Sequence, residues 1–270
     1  CCVIVFEFEM VACHSGPLNG KKVSIESRKD NAAHSEMTRK SALTSNTKKR
    51  AGVITGDVSN SQSYSDAEFR EIIATLRERL TYYAEYYGGD FDIYRGDAFQ
   101  LVVAQPQHSI AAAVGLRLAL KAHASGVDVR MSVAVGEAQF RPSEVKTGTG
   151  DAFVLSGRGL DNIKPHHLTF CSGEQTLDDK TQLLTRFADA HINGLTQTQS
   201  QTLLAYLEAT DKSHESVAAI LDKNRSNVSR ILNASNYKLI AEYLDYMERA
   251  LTLWVQEGTS LKTEQLTKED

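Results

Sequence analysis

The sequence VITGDVSNSQ, residues 53–62, joins a short apolar run to a small polar loop, and a single carboxylate, Asp57, lies at the junction. A run of β-branched residues bounded by glycine is typical of a buried strand. A second sequence, YRGDAFQLVV at residues 94–103, places Asp97 in a Gly-Asp turn ahead of another apolar run. Such a turn between two strand-like segments predicts a β-hairpin. The two sequences therefore predict strands that each carry an aspartate at one end.

The segments around these strands complete an α+β pattern. Residues 65–87 have apolar side chains at helical spacing behind Ser65, and Gly88-Gly89 follows, which predicts a capped amphipathic helix. Further on, the pattern predicts a second helix over 106–126, strands over 127–140 and 167–172, and between these strands a glycine-flanked loop and short helix over 147–163. The order β-α-β-β-α-β predicts a ferredoxin-like antiparallel sheet with both helices on one face.

The rest of the chain predicts helices only, from about residue 178 to residue 256. We therefore expect an α+β domain over 51–178 and an all-α domain over 190–257. Polar tails flank the two domains, over 1–50 and 258–270. We expect the first tail to be disordered or non-native, with Met37 as a candidate start of the protein.

Composition narrows the class of protein. The 270 residues are 41% hydrophobic and 24% charged with a net charge of -4, which is ordinary for a globular protein and gives no overall basic surface for nucleic acid. The four cysteines show neither a CxxC pair nor zinc spacing, which favours a reducing, cytoplasmic setting. The apolar start CCVIVFEFEMVAC is short and carries Glu7 and Glu9, so we predict no membrane span and no signal peptide there.

The two aspartates are candidate metal ligands. In the predicted topology the end of the first strand and the hairpin lie side by side, so Asp57 and Asp97 could share one Mg²⁺ or Mn²⁺ ion. The loop with Ser59, Asn60 and Ser61 leads into a helix N-terminus, which attracts phosphates through free N–H groups. The alternative is structural, because Gly-Asp is a common turn pair and Asp57 could cap a loop.

Four segments carry a resemblance to a known family. GVITGDVSNS, YRGDAFQLV, RMSVAVGEA and GDAFVLSGRGLDN occur in the order and spacing of the catalytic domain of class III nucleotidyl cyclases, over about residues 51–172. With its helical C-terminal part, the chain resembles the SatD family, in which a cyclase-like domain is paired with a helix-turn-helix. The resemblance implies a homodimer, because cyclase-type sites are shared across a dimer.

The same resemblance implies residue roles. Asp57 and Asp97 match the two metal aspartates, Val58 matches the position that adds a backbone carbonyl, and Arg158 matches the arginine that steadies the transition-state phosphates. Two positions depart from the pattern: Ile93 stands at the base-selecting position and Val154 at the ribose-binding asparagine. The resemblance therefore implies that the phosphate and metal half of the site is retained and that the base and ribose half is altered.

Several candidate residues have a structural alternative. Arg95, beside Asp97, is a candidate phosphate contact or a surface residue that pairs with an acid. Arg158 could instead pair with Asp161 at i+3 on a helix surface. His166 and His167 precede a strand, where adjacent side chains point to opposite faces, so we expect no joint metal site from them.

The sequence SHESVAAILDKNRSNVSRILNAS, residues 213–235, predicts two short helices joined by a tight turn. Its apolar positions are Val217, Ile220, Leu221, Val228, Ile231 and Leu232, and Asp222 stands where the turn usually has glycine. NRSNVSRIL is similar to the recognition helix of many bacterial regulators. The candidate DNA contacts are Arg225, Ser226, Asn227, Ser229, Arg230 and Asn233. The alternative is a helical pair used only for packing or dimerisation.

These patterns leave three functions open. The first is a cytoplasmic regulator whose cyclase-like domain binds a nucleotide or phosphate ligand with a divalent metal and whose helix-turn-helix binds DNA. The second is a divergent nucleotidyl cyclase that forms a cyclic nucleotide from an NTP with Asp57, Asp97 and Arg158. The third is a scaffold without a ligand.

Overall fold

The computed structural model describes the backbone of residues 49–266 and the side chains of residues 49–257. All described residues belong to one compact unit. Of the tail expected over 1–50, Lys49 and Arg50 begin the first strand, and the other residues lie outside the described part of the chain. Of the tail expected over 258–270, the described part is helical as far as Leu266.

Strands and helices alternate in the first half of the described chain, and helices alone follow. The strands are β1 (Lys49–Val58), β2 (Gly89–Tyr94), β3 (Ala98–Val103), β4 (Val129–Ala138) and β5 (Leu168–Cys171). The helices are α1 (Asp66–Tyr87), α2 (Ser109–His123), α3 (Asp151–Asp161), α4 (Gln175–Asn193), α5 (Gln197–Glu208), α6 (His214–Ile220), α7 (Arg225–Ala234) and α8 (Tyr237–Leu266). The α+β class is confirmed.

The strands of the described chain form one five-stranded sheet in the order β2-β3-β1-β4-β5. β1 is antiparallel to β3 and β4, and β2 is antiparallel to β3, as the ferredoxin-like order requires. β5 is added at the edge, parallel to β4. One end of the sheet, where these strands start or stop, therefore carries the end of β1, the turn between β2 and β3, and the starts of β4 and β5.

Helices α1 and α2 cover one face of the sheet, as expected. Their buried side chains, such as Leu76 and Leu116, share one core with Ile54, Leu101 and Met131. The start and end of α1 follow the sequence: Ser65 forms a capping box with Glu68, and Gly88 ends the helix with φ +68°.

Helix α3 covers the opposite face. Thr55 of β1 and Ser156 of α3 form a buried hydrogen bond of 2.8 Å between their hydroxyl groups. The helix approaches β4 closely at Gly159, where a Cβ would lie 2.1 Å from the Ser132 Oγ. Side chains alternate between the two faces along a strand, so Asp57, two residues after Thr55 on β1, faces the same side of the sheet as Thr55. This side is covered by α3 and is opposite to α1 and α2.

The segment expected to separate the two domains is the 19-residue helix α4. Its inward face carries the polar residues Thr181, Thr185 and Asp189, so the apolar spacing that predicts an amphipathic helix is weak there. Helix α5 packs against α2, and one hydrophobic core extends from the sheet to α8. The two-domain division stays a prediction.

Candidate functional site

A cleft of about 870 Å³ lies at the end of the sheet where β1 ends and β4 and β5 begin. The loop after β1 forms one wall, and the loop before β5 forms another. Asp97 is the one acidic residue among those that line it, against Arg130, Lys164 and two histidines. The lining residues are Val58, Ser59, Asn60, Ser61, Gln62, Ser63, Asp97, Arg130, Lys164, Pro165, His166 and His167.

The loop after β1 is held by its backbone. The Val58 N–H donates to the Asp97 carbonyl at 3.3 Å, which brings the ends of the two predicted strands together as expected. The next N–H, of Ser59, donates to the Asp128 carbonyl at 2.8 Å. The Ser59 residue is 7% exposed, and its Oγ has no hydrogen-bond partner among the described residues. A buried hydroxyl without a partner is costly, and a ligand in the cleft would satisfy it.

Asp57 is bound by an arginine that the sequence analysis did not single out. Asp57 on β1 lies opposite Arg130 on β4. The Arg130 Nε and Nη2 donate to the two Asp57 carboxylate oxygens at 2.8 and 2.7 Å. The hydrogen bonds that Arg130 donates to Asp57 and, more weakly, the charges of Asp57 and Asp97 raise the pKa of Arg130. The guanidinium therefore lies in the field of both predicted metal ligands.

This arrangement does not fit the expected metal site. Both oxygens of Asp57 are engaged, and Asp57 is absent from the residues that line the cleft, whereas Arg130 is present. Within residues 49–257, no group of three or more His, Cys, Asp or Glu side chains could hold a metal ion. We therefore derive no chemical step through Mg²⁺ or Mn²⁺, and the metal ligation by Asp57, Asp97 and Val58 stays a prediction.

The opposite wall rests on a buried charge network. The backbone N–H of His167 donates to the Asp189 carboxylate at 3.2 Å, and Asp189 accepts a 2.6 Å hydrogen bond from Arg117. Arg117 is fully buried and donates to both oxygens of Asp128 at 2.8 and 2.9 Å. Because the Asp128 carbonyl also holds the Ser59 N–H, the network fixes both walls of the cleft.

His167 contributes a second unpaired polar atom to this wall. Its Nδ1 is buried without a hydrogen-bond partner in the described part of the chain. Burial is the largest influence on the ring and lowers the pKa of His167 below its usual 6.5. Burial therefore favours the neutral form of the ring, which has one donor and one acceptor nitrogen.

Four other predicted positions lie away from the cleft. Arg95 is exposed in the turn between β2 and β3, and Arg158 is exposed on α3; neither lines the cleft of its own chain. Ile93 packs against the core on the α1 side, and Val154 is 48% exposed on α3. The proposed roles of Arg95 and Arg158 stay predictions, and neither apolar residue lines the cleft.

Sequence reasoning missed Arg130 and Lys164, and it considered His167 only as a metal ligand. The signal of these residues is topological, because β4 starts beside the end of β1 and β5 runs parallel to β4. The strand order would have placed the starts of β4 and β5 at the end of the sheet where β1 ends. The expectation that the two histidines do not form a joint metal site stays a prediction, although both line the cleft.

The predicted pair of short helices is present as α6 and α7. Val217 of α6 and Val228 and Leu232 of α7 are fully buried, together with Leu203 of α5. Asp222 in the connecting turn has φ +48°, the left-handed conformation that favours glycine. Ile220, expected among the packing residues, is 39% exposed.

Helix α7 begins at a defined cap and presents a polar face. The Asn224 side chain accepts the Ser226 N–H at 2.9 Å. Arg225, Ser226, Arg230 and Asn233 are exposed, and Asn227 and Ser229 are half-buried. Four of these residues already have partners: Arg225 pairs with Glu215 of α6, the Ser226 hydroxyl donates to Asn224 at 2.8 Å, and Arg230 donates to Asn227 at 2.9 Å. DNA binding by these six residues stays a prediction.

No protein family model matches the chain, and no curated protein matches it. Solved structures of cyclases are similar to part of it. The adenylyl cyclase CyaB from P. aeruginosa is 14% identical with a TM-score of 0.36, over 43% of this chain and 73% of its own. The guanylyl cyclase Cya2 is 16% identical with a TM-score of 0.35, over 43% and 71%. A bacterial light-regulated adenylyl cyclase is 15% identical with a TM-score of 0.38, over 53% of each chain.

Similarity at these TM-scores carries no argument about the activity of this chain. The resemblance to SatD proteins likewise stays a prediction. Within the described residues, none of the helices combines the length and the apolar character needed to cross a membrane.

Proposed function

We propose that this chain is a regulatory protein that binds a phosphate-bearing ligand in the cleft beside β1 and binds DNA through α6 and α7. The observation that carries the first part is the Ser59 hydroxyl, which is buried at the cleft wall without a partner. The His167 Nδ1 on the facing wall is unpartnered too, within the described residues. Both groups can donate a hydrogen bond to a phosphate oxygen.

The charges around the cleft favour an anion. Arg130 and Lys164 line it, against the single carboxylate of Asp97. Hydrogen bonds from charged donors to phosphate are about twice as strong as neutral ones. A phosphate group between the Ser59 loop and Lys164 would therefore meet the charged donors of Arg130 and Lys164.

Recognition rests on the phosphates and not on the base. Ile93 and Val154, which stand where the resemblance puts base and ribose contacts, do not line the cleft. ATP, GTP and inorganic tripolyphosphate should therefore bind with affinities within about tenfold of one another, which is ~1.4 kcal/mol.

Thermal-shift measurements test the ligand. ATP, GTP and tripolyphosphate should each raise the melting temperature of the full chain, and adenosine should not, because a ligand stabilises only the state it binds. Lys164→Met should reduce the shift, whereas Lys180→Met on the outer face of α4 should not. Equal shifts with adenosine and ATP would contradict phosphate recognition.

The support for DNA binding is the α6–turn–α7 geometry. The turn is tight, with the Lys223 N–H donating to the Ala218 carbonyl at 2.9 Å, and the first turn of α7 is exposed with Arg225 and Ser226. In helix-turn-helix proteins the N-terminal residues of the second helix contact base edges in the major groove. A homodimer, the assembly we expect, would present two such helices to two half-sites.

Fluorescence anisotropy with a labelled duplex tests this part. Binding should weaken with salt, because each phosphate contact releases counterions. Arg230→Ala should weaken binding, and Glu215→Gln should strengthen it, because Glu215 holds Arg225 and repels phosphate. Arg141→Ala, at a distant exposed position, is the control. Binding that is insensitive to salt and to Arg230→Ala would contradict the proposal.

No observation favours the alternative of an active nucleotidyl cyclase. It needs Asp57 as a metal ligand, and Arg130 holds both Asp57 oxygens.

A further inference from the structure

The relation of Arg130 to the two aspartates bears on how the cleft binds its ligand. Asp57 lies near the end of β1 and Asp97 just before β3, and the Val58 N–H donates to the Asp97 carbonyl at 3.3 Å. Asp97 and Arg130 line the cleft, whereas Asp57 does not. Arg130 is therefore the residue that both holds Asp57 and lines the cleft.

The Arg130–Asp57 contact is built by the sheet. The two residues are paired in the β1–β4 register, on the face that carries Thr55 and Ser132. Both guanidinium bonds are in the range of charge-assisted hydrogen bonds, at 2.8 and 2.7 Å. Side chains of opposed strand residues meet without a loop movement, so this pairing is part of the folded sheet.

We infer that the cleft binds its phosphate ligand without a divalent metal ion, because the Arg130 guanidinium holds both carboxylate oxygens of Asp57 and itself brings a positive charge to the cleft. Arg130 keeps N–H groups beyond the two that hold Asp57, since a guanidinium has five N–H donors. Those donors are available to phosphate oxygens from the cleft side. Asp57 then orients Arg130 and does not ligate an ion.

This inference rests on the proposed phosphate binding, and one experiment separates the two. Calorimetry measures sodium tripolyphosphate binding to the full chain in EDTA and again in excess Mg²⁺. Binding in EDTA with an affinity within about tenfold of that in Mg²⁺ supports the inference. Binding that needs Mg²⁺ overturns it and leaves the proposed ligand in place. No binding in either buffer overturns the proposed phosphate site itself.

Arg130→Met supplies the matched variant. In EDTA it should lower tripolyphosphate affinity about tenfold or more, the loss expected for a charged hydrogen bond. Arg141→Met, whose side chain is 86% exposed and does not line the cleft, should leave the affinity unchanged. An unchanged affinity for Arg130→Met contradicts the inference.

A gain of metal binding gives an independent readout. Removal of the guanidinium frees both carboxylate oxygens of Asp57, and hard divalent ions prefer carboxylate oxygens. Electron paramagnetic resonance of free Mn²⁺ should therefore show stronger Mn²⁺ binding by Arg130→Met than by the wild type, and Arg130→Met with Asp57→Asn should lose that gain. A variant that binds Mn²⁺ no better than the wild type contradicts the inference.

Discussion

Asp57 and Arg130 face each other across β1 and β4, and the guanidinium holds both carboxylate oxygens, at 2.8 and 2.7 Å. Their side chains are 20% and 30% exposed, so water still screens the pair. A double-mutant cycle with Asp57→Asn and Arg130→Met should give a coupling free energy of about 1 kcal/mol in urea unfolding, because the bonds are bidentate but half-exposed. A coupling indistinguishable from zero would mean that the pair does not form in solution.

The buried arginine should matter far more for stability. Arg117 is fully buried between Asp128 and Asp189. Arg117→Met leaves two buried carboxylates without their partner and should cost about 3–5 kcal/mol of unfolding free energy. Urea unfolding measures the loss.

Two variants control this measurement. Arg141→Met, whose side chain is 86% exposed, should change the unfolding free energy by less than about 0.5 kcal/mol. Adding Asp128→Asn and Asp189→Asn to Arg117→Met should recover part of the loss, because no uncompensated charge remains. A loss below about 1 kcal/mol for Arg117→Met alone would refute the network's structural role.

The free energy of unfolding should fall as the pH drops through the range in which His167 takes up a proton. Burial lowers the pKa of His167 below 6.5 in the folded chain, and Arg117 and Lys121 lower it further, against the opposing charges of Asp128 and Asp189. The unfolded chain therefore takes up a proton first as the pH falls, and the folded state loses stability. Between about pH 7.5 and 5.5, His167→Gln should flatten the pH dependence of the unfolding free energy. An unchanged pH dependence in the variant would contradict this assignment.

Replacement of the turn residue Asp222 should stabilise the chain. Its φ of +48° is disfavoured for residues with a Cβ, so Asp222→Gly should stabilise the chain by about 0.5–1 kcal/mol. Asp222→Asn removes the charge and keeps the Cβ, and it should stabilise less. If α7 contacts DNA, both variants should raise DNA affinity equally, because each removes one acidic charge beside the helix. Comparison of the two variants by urea unfolding and anisotropy separates strain from charge.

The sequence predicted the sheet well because its local patterns are strong. Alternating apolar residues marked β4, and the Arg95-Gly96-Asp97 turn marked the hairpin. Helix α4 occupies most of the interval expected between the two domains, and its buried face mixes apolar residues with Thr181, Thr185 and Asp189. Hydrophobic spacing marks the bounds of such a mixed helix less sharply than those of a helix with a continuous apolar stripe.

The candidate site was predicted only in part, for a related reason. The Ser59–Ser61 loop and Asp97 follow strands that sequence patterns locate, and they do line the cleft. For Arg130 on β4, the alternation in the sequence predicts only the face of the strand on which the side chain lies. Its pairing with Asp57 depends on the register between β1 and β4, which is set by the whole sheet.

The most direct test of the account is a map of where a phosphate ligand binds. Amide chemical shifts of ¹⁵N-labelled full chain should be followed as ATP is added in EDTA. The account predicts the largest changes at Ser59, Asn60 and Ser61 and at His166 and His167, with α7 little affected. Changes confined to other parts of the chain, or no changes at saturating ATP, would contradict it.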